Sequence, residues 1–214
     1  MKSLSLSRPL IIMMVGDPGA GKSFFARQFA ATFHTPLVSY DYLRSTMFTT
    51  PTYADNEESV VYALAGQQID ELFKTDKPII VDGGLNIKSD RIALTKLAQK
   101  AGYDSLVIWV QTDAPTSKQR ATRRSAKRID DSYNASLTAQ QFEQLSREFQ
   151  SPIAQESFVV ISGKHTFATQ AKVVLKKLVQ SRQEQPTDSS KTTAQKHEQA
   201  QTPSTPTRRN VIIN

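Results

Sequence analysis

The chain has 214 residues, a net charge of +7, no cysteine and three scattered histidines. Disulfides, zinc–thiolate sites and cysteine nucleophiles are excluded, and a histidine-based metal site is not expected. The length suits one domain of about 170–190 residues followed by a tail, and the positive charge favours anionic partners, a preference that a bound nucleotide alone would satisfy.

Residues 10–15 form a short, uninterrupted apolar run that reads as a buried strand. The run is too short for a signal-peptide core, and no stretch of the chain is long enough to cross a membrane, so a cytoplasmic protein without membrane contact is expected. The run ends in Gly16-Asp17-Pro18-Gly19-Ala20-Gly21-Lys22-Ser23, with Phe24 next. This G-x-x-x-x-G-K-S spacing is that of a phosphate-binding loop. The glycines allow backbone N–H groups to converge on one anion, and the following helix adds the positive end of its dipole. Lys22 is placed to reach the β- and γ-phosphates and the Ser23 hydroxyl to bind Mg²⁺.

Residues 21–33 read as a helix with Phe25, Phe29 and Phe33 on one face. Pro36 breaks the pattern, and Leu37–Tyr40 read as a second strand that ends at Asp41. Residues 45–55 look irregular, and 56–74 form an amphipathic helix with Val61, Leu64, Ala65, Ile69, Leu72 and Phe73 inward. Ile79–Val81 form a third strand ending at Asp82. A helix over 89–101 follows, with Ser89 as N-cap, Leu94, Leu97, Ala98 and Ala101 in the core, and Gly102 as its stop. Leu106–Val110 is a fourth strand, in which Trp109 reads as core. Pro115 opens a basic helix carrying Lys118, Arg120, Arg123, Arg124, Lys127 and Arg128, in which Arg120, Arg124 and Arg128 share a face. Asp130–Ala135 read as a loop. Thr138 and Gln141 make a capping box for a helix to Gln150. Phe158–Ile161 is a fifth strand, and Gly163-Lys164 turn the chain into a last helix. The alternation implies an α/β fold, a parallel five-stranded sheet with helices on both faces. Residues 183–214 are rich in Gln, Ser, Thr, Pro and Lys, so a folded domain at 1–182 and a disordered polar tail at 183–214 are expected.

In an open parallel sheet the ligand sits at the carboxyl ends of the strands. The loop after the first strand, Asp41 and Asp82 all fall there. Asp41 reads either as a group that takes the proton of an incoming hydroxyl or as the cap of a helix starting at Tyr42. Arg44 reads either as a grip on an anionic acceptor or as a surface charge. Asp82 reads as a carboxylate serving the metal or as a turn residue. The arginine helix reads as a solvated face or as a mobile lid over the transferring phosphoryl group. Gly163 and Lys164 follow the fifth strand, in a loop position that often lies beside a bound base. No guanine-specifying Asn-Lys-x-Asp occurs, which favours ATP.

With these residues in place, residues 9–180 resemble the small P-loop kinases of the polynucleotide-kinase and zeta-toxin type. Gly16–Ser23 is similar to the family's phosphate loop, Leu37–Arg44 to its second-strand motif, Asp82 with Asn86 and Arg91 to its third-strand motif, and Gln119–Arg124 to its lid. Pro152, after the capped helix, also has a counterpart. The resemblance implies the three-layer P-loop fold with an arginine-bearing lid helix. It also implies ATP and Mg²⁺ as cofactors, Asp41 as general base with Lys22 and Arg124 catalytic, and Arg120 and Arg124 as phosphate ligands. Acceptor contacts from Asp41, Arg44, Asn86 and Arg91 follow from it, with Ser23 and Asp82 at the metal. Gly84 stands where the family usually carries Asn. The implied function is transfer of the γ-phosphate to a hydroxyl on a polynucleotide 5′ end, a nucleoside, or a sugar or sugar nucleotide. A nucleotide-dependent switch and a nucleoside monophosphate kinase are the alternatives. Nucleic acid is compatible as a partner, and the oligomeric state is not legible.

Overall fold

The computed structural model describes residues 8–125, 133 and 135–183. The polar segment from residue 184 onward lies outside them, as do Lys127, Arg128 and most of the loop expected over 130–135. The elements alternate as β1 (Leu10–Val15), α1 (Lys22–Phe33), β2 (Leu37–Ser39), α2 (Tyr40–Met47), α3 (Asp55–Phe73), β3 (Ile79–Asp82), α4 (Lys88–Lys100), β4 (Asp104–Gln111), α5 (Ala114–Thr122), α6 (Ala139–Glu148), β5 (Phe158–Ser162) and α7 (Phe167–Gln183). The five strands are all parallel, in the order β2-β3-β1-β4-β5. All six residues of β1 are buried, as a strand covered on both faces requires. One face of the sheet packs through Met13, Val15, Val38, Val61, Ile69 and Val81. The other packs through Ile12, Met14, Ile80, Ile108, Phe25 and Phe29, where Phe25, Phe29, Phe33 and Phe167 form a run of ring contacts. β1 lies between β3 and β4, so the strand order reverses beside it and a crevice opens at its carboxyl end.

Several local expectations are corrected. The basic helix ends at Thr122 rather than at 128. The returning chain takes its last carbonyls: Leu137 N–H donates to Ala121 O (3.0 Å) and the Ser136 hydroxyl to Thr122 O (2.7 Å). Arg124 therefore stands outside the helix, and the shared helical face does not extend to it. α4 begins at Lys88, and Ser89 does not cap it. The Lys88 N–H is taken by the Gln150 side chain (2.9 Å), 62 residues away. Leu97 and Ala101 are exposed rather than core. Trp109 is partly buried, with its ring against Phe149. The second strand stops at Ser39, and helix α2 runs from Tyr40 to Met47 into the start of the stretch expected to be irregular, which is otherwise without helix or strand from 48 to 54. The capping box at Thr138 and Gln141 is present as expected. Among the described residues, no helix is long and apolar enough to cross a membrane.

Arg91, expected at the acceptor, is 1% exposed. Its guanidinium grips Glu156 through two bonds (2.6 and 3.1 Å) and donates to the carbonyls of Leu85 and Asn86. This pair joins α4 to the segment before β5. Breaking a buried pair from one side leaves an uncompensated charge. Arg91→Met is expected to destabilise the fold by about 3–5 kcal/mol, read as a lower denaturant midpoint, and an unchanged midpoint would remove Arg91 from the scaffold.

Candidate functional site

The loop between β1 and α1 builds the base of the crevice. Gly16, Gly19 and Gly21 all have positive φ. Gly16 (φ 137°) also presses on β4, since a Cβ there would sit 2.4 Å from Val110 O. Both conformation and proximity therefore demand glycine. Asp17 O accepts from the Ala20 N–H (3.1 Å) in the turn, and Pro18 and Ala20 are buried beneath it. Lys22 Nζ donates to Gly16 O (2.7 Å) and Asp17 O (2.9 Å). Burial holds its ammonium below the usual lysine range, with Arg124 pushing the same way and Asp82, Asp41 and Asp17 opposing.

Asp82 closes β3 and is 5% exposed. Burial raises its carboxyl above the usual range, against a hydrogen bond from the Ser23 hydroxyl and the charges of Lys22, Arg27 and Arg124. Hydroxyl and carboxylate together offer hard oxygen donors, which suits Mg²⁺ and not a thiophilic metal. Among the described residues, no group of three or more His, Asp or Glu residues could hold a metal on protein ligands alone.

Asp41 lies in the first turn of α2 but does not cap it. The cap is Ser39, whose Oγ accepts from the Tyr42 N–H (3.4 Å). Burial and the Asp82 charge push the Asp41 carboxyl up to about 6, against Arg124, Arg44 and Lys22. The crevice holds about 690 Å³ and is lined by Gly19, Gly21, Lys22, Ser23, Phe24, Asp41, Asp82, Arg120, Arg124 and Gly163. Most of the residues expected at the nucleotide thus meet in one cavity.

The same cavity is lined by Arg123 of the basic segment and Lys164 of the β5–α7 loop, and by Arg27 and His165, which the sequence reading did not place. Arg27 falls one turn after Ser23, a spacing that could have flagged it. Arg120 Nη1 donates to Gly163 O (3.0 Å) and Arg124 Nη1 to Ala135 O (3.1 Å). Gly163 has a steric role that the sequence reading did not assign: a Cβ would stand 1.8 Å from Ala20 O, so the β5–α7 loop touches the phosphate loop directly. Lys164 pairs with Asp113, the cap of α5.

Asn86 and Arg91 are not brought into the cavity. Asn86 bonds Gly16 through its side chain, and Arg91 belongs to the scaffold. Arg44 is 4% exposed, pairs with Glu58 (2.6 Å) and lies over the Tyr53 ring (4.6 Å). Of the six tyrosines, all but the core residue Tyr103 stand on or against α2. Tyr40 packs on Tyr62, and Tyr42 on Tyr133. No local pattern in the sequence announces this grouping.

The model of the AAA domain family matches residues 11–152. The chain belongs to that family. No curated protein matches it in sequence. Among solved structures it is similar to an APS kinase from Mycobacterium tuberculosis in complex with AMPPNP and APS, at 15% identity and a TM-score of 0.57, covering 80% of this chain and 98% of that one. It is also similar to Kti12 from Chaetomium thermophilum in complex with ADP-AlF3, at 21% identity and a TM-score of 0.58 (78% and 96% covered). A gluconokinase from Sinorhizobium meliloti gives 16% identity and a TM-score of 0.55 (82% and 94% covered). At such identities these likenesses establish the fold, a three-layer α/β P-loop kinase-like architecture, as the sequence had implied.

Proposed function

We propose that this chain is an ATP- and Mg²⁺-dependent phosphotransferase that moves the γ-phosphate of ATP to a hydroxyl acceptor. The observation that carries the reading is the position of Asp41. Ser39 relieves it of capping, and it shares one cavity with Lys22 and Asp82. In the transfer the acceptor oxygen forms a bond to the γ-phosphorus while the bond to the β–γ bridging oxygen breaks. ADP leaves, and the acceptor proton passes to Asp41. Lys22, the loop N–H groups, Arg120 and Arg124 oppose the negative charge of the group in transit. Ser23 and Asp82 would hold Mg²⁺, which supplies charge neutralisation on the phosphates.

The acceptor is a polynucleotide 5′-hydroxyl, a nucleoside, or a sugar or sugar nucleotide. The tyrosines around α2 support a ring-bearing acceptor, since base and sugar rings both pack on aromatic faces. A nucleoside monophosphate acceptor fits less well, because it needs no base and because Gly83-Gly84-Leu85 carries no arginine. We place the catalytic unit within residues 1–182, in the cytoplasm, and assign no catalytic role to the segment after it.

The test is transfer from γ-labelled ATP to 5′-hydroxyl oligonucleotides, nucleosides and sugar nucleotides in parallel. Label on one hydroxyl class is the expected outcome. Phosphate release with no labelled acceptor across the panel would instead support a nucleotide-driven switch.

A further inference from the structure

β1 and β3 run in register from Ile11↔Ile79 to Met14↔Asp82, and there the ladder ends, because β3 turns away at Gly83-Gly84. Two residues past Met14, the buried peptide of Gly16 would be left without a partner on that side. Asn86 fills the place. Its Oδ1 accepts from the Gly16 N–H (3.3 Å), and its Nδ2 donates to Gly16 O (3.3 Å). The reciprocal pair fixes the orientation of the amide, since a flipped amide would set donor against donor. In effect, a side-chain amide stands in for the peptide that a longer β3 would have offered.

Two further observations give this pair a direction. First, Gly16 O also accepts from Lys22 Nζ (2.7 Å). When Lys22 turns to a phosphate, that bond is given up, and a buried carbonyl with no donor is penalised. Second, the Asn86 backbone is itself anchored. Its carbonyl accepts from the Gln150 N–H (3.0 Å) and from Arg91 Nη1 (3.3 Å), and Arg91 is locked to Glu156.

We propose that Asn86 is a positioning residue for the phosphate loop. It keeps the first peptide of the loop in its anion-binding orientation and keeps Gly16 O satisfied when Lys22 moves to the nucleotide. This assigns Asn86 to the nucleotide and not to the acceptor, and it rests on the nucleotide-binding part of the reading above. It does not depend on phosphate transfer.

The experiment is equilibrium binding of MANT-ADP to the full chain, with a thermal melt alongside, for the wild type, Asn86→Ala and Asn86→Asp. Asn86→Ala removes both bonds. Asn86→Asp keeps the shape and the accepting oxygen but loses the donated hydrogen, and it serves where the alanine variant fails to fold. Loss of one to two hydrogen bonds predicts nucleotide binding about tenfold weaker, with the variants still folded and the melting temperature of the nucleotide-free protein lowered by only a few degrees, as an unpaired Gly16 N–H requires. Where transfer is measurable, KM for ATP rises and KM for the acceptor does not. Binding equal in wild type and both variants would overturn the proposal, as would a raised acceptor KM with unchanged nucleotide affinity, or a collapse of both melts. A wild type that binds no MANT-ADP would overturn the nucleotide site itself and this inference with it.

Discussion

Asp41→Asn is expected to lower kcat/KM for phosphate transfer by about 10²–10⁴-fold, the range for loss of a positioned general base, while nucleotide affinity changes little. Asparagine keeps the size and the polar contacts of the residue. Because Ser39 holds the N-terminus of α2, the helix keeps its cap. Only the proton-accepting function is removed. The wild-type pH profile carries the same signature. With the carboxyl pushed up to about 6, the base is ionised above that value and protonated below it. kcat/KM should be level above about pH 6 and fall below it towards one decade per unit. Stability runs the other way. The folded-state value lies above the ordinary 3.8, so the folded protein binds this proton more tightly than the unfolded chain. The contribution of Asp41 to stability is therefore greatest below about 4 and is lost as pH rises to about 6. At pH 8 the asparagine variant should melt no lower than the wild type. A variant that keeps full transfer activity, or one that unfolds, would refute the assignment.

Legibility followed the range of the interactions involved. The phosphate loop was readable because its determinants are contiguous: Gly16, Gly19, Gly21, Lys22 and Ser23 owe their roles to local backbone geometry. The sheet was readable for the same reason, since Leu10–Val15 and Ile79–Val81 are short apolar runs bounded by breakers. Asp41 was half readable. Its place after the second strand was clear, but only the Ser39–Tyr42 bond separates a free carboxylate from a cap. The end of α5 was not readable, because Ser136 and Leu137 compete for its last carbonyls from a distant part of the chain. The bonding of Arg91 and Asn86 was not readable on the same ground. Their partners, Glu156 and Gly16, lie 65 and 70 residues away. A motif identifies residue types at fixed spacing, but the competition for hydrogen bonds that decides their use is tertiary. The close approach of Gly163 to Ala20, which no local pattern announced, is likewise tertiary.

Lys22→Ala is expected to separate the stability of the empty protein from its response to nucleotide. Among the hydrogen bonds described, Lys22 Nζ donates to the carbonyls of Gly16 and Asp17. Burial lowers its pKa first, and Arg124 adds to the effect. A lowered lysine pKa means that the folded state binds this proton less tightly than the unfolded chain does, so at neutral pH the charged group weighs against folding. Its removal relieves that penalty. Asp82 loses one favourable neighbour but keeps the Ser23 hydroxyl, Arg27 and Arg124, so the melting temperature without ligand should stay within a few degrees. The nucleotide response should not survive. A ligand at one hundred times its Kd stabilises a fold by about 2.7 kcal/mol, and the corresponding upward shift in melting temperature should largely vanish in the variant at the same nucleotide concentration. Transfer should fall by about 10²–10³-fold, as when one preorganised donor to a developing negative charge is lost. Lys22→Arg should not rescue it, since the planar guanidinium is longer and cannot fold back onto Gly16 O and Asp17 O as a compact ammonium does. A variant that retains the nucleotide-dependent shift would show that the loop binds its anion without Lys22, and the phosphate-binding role would then pass to the arginines around the crevice.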